Sequence, residues 1–242
     1  MRFQDKVVLI TGAAQGLGLQ YALDFAKEGA KVAAVDLNKA KVEQVAADIN
    51  ASGGKCIGLA CDIADAKAVE QLVADIKAQF GSVDILINNA ALYKPSPIAE
   101  MSIADWDMQV NIDLNGTFYC TRFVLPDMIA KKYGKIVNIA SASAKHVIPT
   151  FGAYAAAKGG MITLTHQISE EVKYDGINVN AIYLGMTNTD KTRERIDSDS
   201  AVTIKLEEML QVDEVSKVVL FLASDDAKPI VGAAIDVFGL KY

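Results

Sequence analysis

The sequence predicts an α/β protein, a doubly wound, parallel, seven-stranded sheet with helices on both faces. Three observations lead there. Short runs rich in Val and Ile alternate with longer helical patterns almost to the end of the chain. The runs are nearly continuous in hydrophobicity, as strands covered on both faces are. Repeated strand–helix–strand order then calls for parallel pairing through right-handed crossovers.

The predicted strands cover residues 7–10, 32–35, 56–60, 85–88, 136–139, 177–182 and 233–238. Helical patterns fill the intervals at residues 18–28, 39–50, 66–79, 104–131 and 154–173. No linker, low-complexity segment or internal repeat interrupts them, so residues 1–242 are expected to form one domain. Residues 187–211 are polar and charged at first and read as a mobile loop with some helix, part of an expected substrate loop at about residues 184–212.

Composition narrows the function. The chain has 242 residues, 51% hydrophobic, with 17 Gly and 5 Pro, which suits a large buried sheet with tight turns. The net charge is −6 and no Lys/Arg cluster forms a nucleic-acid arm, so nucleic acid is not an expected partner. Cys56, Cys61 and Cys120 are scattered without metal-ligand spacing. They read as small buried hydrophobes in a reducing compartment, and no metal site is expected. Residues 1–6 lead straight into the first apolar run, which leaves no room for a signal peptide ahead of it. No apolar stretch reaches the roughly 18 residues of a membrane span. A soluble, cytoplasmic protein is the expectation.

Thr11-Gly12-Ala13-Ala14-Gln15-Gly16-Leu17-Gly18 follows the first strand and opens the first helix. Glycine serves a tight turn whose backbone must approach a pyrophosphate, and the helix N-terminus offers free N–H groups to the phosphates. A plain tight turn would explain the glycines but not their strand-before, helix-after setting. Asp36 ends the second strand, where a carboxylate can accept both ribose hydroxyls of NAD and repel the 2′-phosphate of NADP. No Lys or Arg occupies positions 13–15 or 37 as a phosphate clamp. A helix N-cap is the alternative role for Asp36. Asp62, after the third strand, and Asn88-Asn89-Ala90, after the fourth, fall at strand carboxyl ends, where they are either ligand contacts or loop caps.

Tyr154 and Lys158 stand four apart, on one face of a predicted helix. A free tyrosine is a poor base at neutral pH, and a nearby ammonium favours its phenolate. Ser141 ends the fifth strand, where its hydroxyl can bond the same substrate oxygen. A Tyr-x-x-x-Lys pair alone is common by chance.

Taken together, Thr11 to Gly18, Asn88 to Ala90, Ser141, Tyr154 and Lys158 resemble the short-chain dehydrogenase/reductase family, from about Lys6 to Gly239. The resemblance implies a seven-stranded Rossmann sheet, a homotetramer and hydride transfer between an alcohol or carbonyl and NAD. It implies Tyr154 as acid/base, Lys158 on the nicotinamide ribose and as the group that lowers the tyrosine's pKa, and Ser141 orienting the carbonyl. Gly12, Gln15, Gly16, Leu17, Asp36, Asp62 and Asn89 match the family's cofactor contacts, and Thr189 the threonine that holds the carboxamide. Gly18, Leu37, Ile63, Ala90, Gly185 and Thr187 complete the expected cofactor set.

Four positions depart from the family pattern. Asn-Ala-Gly reads Asn89-Ala90-Ala91, and the fourth catalytic position, normally Asn, is Asp113. Pro-Gly after the sixth strand reads Leu184-Gly185, and the stretch from Asp190 to Val215 is short, with Phe238-Gly239-Leu240 in place of Asp-Gly-Gly. Ser141, Ser143, His146, Tyr154 and Tyr183 are the expected substrate contacts, with Tyr93 and Phe151 adding aromatic character. Segments such as residues 207–211 and 222–227 look like those of aryl-alcohol and pyridoxal dehydrogenases within the family. The alternatives are a non-catalytic NAD(H)-binding regulator and an NADP-dependent carbonyl or 3-oxoacyl reductase.

Overall fold

The computed structural model describes residues 1–198 and 205–239. Residues 199–204 of the predicted loop, and Leu240, lie outside the described residues. Seven strands form one sheet: β1 (Val7–Thr11), β2 (Lys31–Asp36), β3 (Lys55–Ala60), β4 (Ile85–Asn88), β5 (Gly134–Ile139), β6 (Ile177–Leu184) and β7 (Ala234–Val237). All pairings are parallel, in the order β3-β2-β1-β4-β5-β6-β7. The order reverses between β1 and β4. The α/β, Rossmann-type expectation is met, and predicted strand ends fall within two residues of those observed.

Alternation along the buried strands sends side chains to two separate cores. In β1, Val8 and Ile10 join one core while Val7 and Leu9 join the other. The first core packs under α1 (Gly16–Lys27), α2 (Lys39–Ala51) and α8 (Val212–Ala223), through Tyr21, Phe25, Val42 and Val219. The second packs under α3 (Ala66–Phe80), α5 (Gly116–Ala130) and α6 (Gly152–Val172), through Ile76, Val124 and Ile168. The α8 helix lies outside the predicted spans. All three cysteines are free and buried, and burial pushes their thiols up, to about 11 for Cys61 and about 12 for Cys56 and Cys120.

The helix expected at 104–131 is not uniform. It comprises α4 (Ile103–Val110), a π-helical segment at Asn111–Asn115, and then α5, with helical backbone through the junctions. Inserting a wider turn shifts which face later residues present. Asp113, at the centre of the π segment, is fully buried. Within the predicted loop, α7 (Asp190–Ser198) is helical. Among the described residues no helix is long and apolar enough to cross a membrane.

Candidate active site

The reversal between β1 and β4 opens a crevice at the strand carboxyl ends, and the turn after β1 lines it. Gly12 has φ +67°, and a Cβ there would lie 2.9 Å from the Ala90 Cα. A Cβ on Gly18 would lie 2.1 Å from the Gly12 carbonyl oxygen, so helix α1 can begin against the turn only without one. Asn89 holds this turn: its amide donates to the Thr11 and Gly12 carbonyls at 2.9 and 3.2 Å. The Thr11 hydroxyl accepts from the Asn89 and Ala90 N–H groups, both at 3.0 Å.

Helix α1 begins after Gln15, which provides no side-chain cap, and has no acidic residue in its first turn. Its leading N–H groups therefore have no side-chain acceptor, which leaves them available to an anion. A cavity of about 660 Å³ passes this helix end and is lined by Asp36 and Asp62 as well as by Ser141, Tyr154 and Lys158. The chemistry of its wall suits a dinucleotide: an uncapped helix N-terminus in the middle and carboxylates of Asp36 and Asp62 at one end.

Asp36 accepts from the Ala14 N–H at 3.1 Å and from the Asn38 N–H at 2.9 Å. The helix cap is Asn38, which accepts from the Lys41 N–H, so capping does not explain Asp36. Asp62 accepts from the Ala64 N–H at 2.9 Å and remains exposed. Lys41 reaches the Gln15 amide oxygen at 3.5 Å but does not itself line the cavity.

At the cavity's other end stand Ser141, Tyr154 and Lys158. The fold brings the three together because β5 ends at Ile139 and α6 crosses its carboxyl end. Lys158 Nζ is buried, donates to the Ile139 carbonyl at 2.9 Å, and lies 5.6 Å from the centre of the Tyr154 ring. Asp113 Oδ1 lies 3.3 Å from Lys158 Nζ, with both side chains essentially inaccessible to solvent. No donor is aligned on Oδ1 for a hydrogen bond, so the contact is an ion pair, while Oδ2 accepts weakly from the Leu92 N–H at 3.4 Å.

Burial raises the Asp113 carboxyl above its usual range, against the pull of Lys158, and lowers the Lys158 ammonium, against the pull of Asp113. The Tyr154 phenol is pushed up, first by burial and then by the Asp113 charge, while a hydrogen bond with Ser141 works the other way. Burial is the largest of these influences on the phenol, and the carboxylate beside the lysine adds to it.

Other predicted positions divide. Gly12, Gln15, Gly16, Leu17, Leu37, Ile63, Asn89, Ala90, Gly185, Thr187 and Thr189 line the cavity with Asp36 and Asp62. Gly18 supports the turn from beneath. Ser143, His146 and Tyr183 do not line it: Ser143 donates to the Ser141 hydroxyl at 3.0 Å, the His146 ring meets Phe238 edge-on at 5.4 Å, and Lys145 lies over Tyr183. The wall beside Tyr154 is instead built from Tyr93 and Phe151, stacked at 5.6 Å and 16°, with Ile148, Met186 and Lys191. Of these, Tyr93 and Phe151 are the aromatic residues expected from the sequence, and Met186 and Lys191 fall in the expected substrate loop, where Lys191 is one lysine in a charged run. The Ile139 carbonyl that holds Lys158 is backbone and has no signature in the sequence.

Comparison with known proteins agrees with this geometry. The profile of the short chain dehydrogenase family matches residues 6–200. The chain is 34% identical to a hydroxy(phenyl)methylsuccinyl-CoA dehydrogenase subunit of Thauera aromatica, covering 99% of this chain and 97% of that one. It is 36% identical to the meso-2,3-butanediol dehydrogenase of Serratia marcescens, over 99% and 95%. It is 34% identical to a 3-oxoacyl-(acyl-carrier-protein) reductase of Thermotoga maritima, over 99% and 98%.

The Asn89 bonds generate a prediction. Asn89→Ala leaves the Gly12 carbonyl without its side-chain donor and should lower stability by about 1–3 kcal/mol. Urea unfolding measures it, and an unchanged midpoint would show that Asn89 does not hold the turn.

Proposed function

The chain belongs to the short-chain dehydrogenase family, oxidoreductases of alcohols and carbonyls that use NAD or NADP, and on that premise we propose that this member is NAD-dependent and acts through Tyr154. The observation that carries the reading is one continuous cavity joining Asp36 to Ser141, Tyr154 and Lys158. In this reading Gly12, Gln15, Gly16 and the uncapped end of α1 hold the pyrophosphate, and Asp36 accepts from the adenosine ribose. Lys158 binds the nicotinamide ribose, and Thr187 and Thr189 hold the carboxamide end. The nicotinamide, when bound, gives or takes the hydride.

The chain's own residues handle the proton. Tyr154 Oη donates to the substrate oxygen as a carbonyl is reduced, or removes the hydroxyl proton as an alcohol is oxidised. Ser141 donates to the same oxygen and fixes its place. The stacked Tyr93 and Phe151, with Tyr154 edge-on to both at 6.0 and 5.9 Å, favour a flat apolar or aromatic substrate. The phenyl-bearing substrate in the name of the Thauera aromatica relative supports that class.

Self-association as a homotetramer fits the surface. Ile103, Trp106, Met108 and Phe118 on α4 and α5 are large apolar side chains left exposed, some of which a second copy would cover.

Three measurements test these statements. Nicotinamide absorbance followed across aryl, aliphatic, steroid and sugar alcohols should show turnover that Tyr154→Phe reduces by roughly 10²–10⁴-fold. Full activity in the variant would remove Tyr154 from the mechanism. Asp36→Ala should narrow the preference for NAD over NADP by about tenfold or more, read by cofactor binding; an unaltered ratio would mean that Asp36 does not select the cofactor. Light scattering should return a tetrameric mass, and a monomeric one would sink the assembly.

A further inference from the structure

The Asp113–Lys158 pair is electrically neutral as a unit, wherever its proton lies. As carboxylate and ammonium the two charges cancel, and as acid and amine there are none. Its centre is buried and the two atoms are 3.3 Å apart, so solvent does little to separate their fields. Tyr154 therefore faces a lysine 5.6 Å from its ring whose charge is already answered.

Among the described residues, Lys158 is the one cation recorded over the Tyr154 ring. From the loop after β4 comes Tyr93, a neutral ring edge-on at 6.0 Å. From the end of β5 comes the Ser141 hydroxyl, also neutral. From α7 come Lys191, exposed and 5.4 Å from the Tyr93 ring rather than against Tyr154, and its neighbour Asp190 of opposite sign. Lys145, in the loop beyond Ser141, is paired with Asp236 at 2.7 Å.

We propose that Asp113 is a positioning residue that cancels Lys158 toward Tyr154, keeps the phenol protonated through neutral pH, and suits the site to carbonyl reduction there. The inference rests on the proposed role of Tyr154. In reduction the carbonyl carbon takes a hydride, two electrons, from reduced nicotinamide, and the carbonyl oxygen takes its proton from Tyr154 Oη. The reverse reaction needs the phenolate and so begins only at alkaline pH. The upward pressure that burial and Asp113 place on the phenol has the same sign.

The decisive variant is Asp113→Asn, which keeps the shape and uncovers one positive charge. An uncovered unit charge 5.6 Å from the ring, at an effective dielectric near 20, should lower the Tyr154 midpoint by about two pH units. Two readouts follow it. One is the ultraviolet tyrosinate titration of cofactor-free protein, taken as the difference from a Tyr154→Phe counterpart, which needs no substrate. The other is the pH profile of alcohol oxidation, whose rising limb should move down equally, with oxidation at neutral pH up by about tenfold per unit. Asp113→Ser makes the same charge change if the Asn variant does not fold. Should no substrate turn over, the titration alone decides, so failure of the functional reading is distinct from failure of this one. A tyrosinate midpoint that stays put or rises in a folded variant would overturn the proposal.

Discussion

A parallel sheet buried on both faces can be closed only by helical crossovers, and that constraint places everything else. Each crossover covers one face, and the chain begins its sheet in the middle, at β1. It winds outward through β2 and β3, then returns to lay β4 on the other side of β1. At that reversal the neighbouring connections leave in opposite directions, and no helix covers the strand ends between them. The crevice is thus a consequence of topology before any residue specialises it. Gly12, Asp36 and Asn89 are where they are because β1, β2 and β4 end there.

The ion pair at the other end of the crevice is a different kind of feature. Taking two charges out of water costs several kcal/mol per ion, and mutual attraction offsets this only with good geometry and further partners. Here the partners are sparse. Lys158 has the Ile139 carbonyl, and Asp113 has a long contact from the Leu92 N–H. The site is therefore costly locally and is held by the surrounding fold, as functional sites commonly are. Asp113, within the π segment, meets Lys158 of α6 with both side chains buried.

What was legible in the sequence follows from this division. Residues whose place at the cavity depends on side-chain type at a strand end or on helical spacing could be read: Gly12 and Gly16, Asp36, Ser141, and Tyr154 with Lys158. Asp113 could be placed by its position before Gly116-Thr117-Phe118, but not its burial, because a π turn depends on how the helix is packed rather than on a local residue preference. The Ile139 carbonyl could not be read at all, since every residue carries one. Ser143, His146 and Tyr183, expected as substrate contacts, do not line the cavity. Beyond β5 Ser143 turns onto Ser141 and His146 onto Phe238, while Tyr183 on β6 lies beneath Lys145. Proximity in sequence says little about direction once the backbone leaves regular structure.

The reacting residues also need a fixed rotation of α6 about its axis, and apolar packing alone tolerates small slides. Beneath the site a chain of polar side chains removes that freedom. Asn88 donates to Asn138 at 2.8 Å across β4 and β5, and Asn138 donates to the Thr165 hydroxyl at 2.8 Å. Thr165 is buried on α6, two turns beyond Lys158, and Met161 between them is buried as well. Lys158, Met161 and Thr165 thus form one sheet-facing stripe. Hydrogen bonds have direction as well as strength, and an unmade one this deep is costly, so the stripe has one favoured register. Fixing Thr165 to β5 fixes Lys158 against the Ile139 carbonyl and, one turn earlier, sets where Tyr154 meets Ser141. The polar residues in the middle of the sheet, which contribute little as core, are what make the geometry at its edge specific.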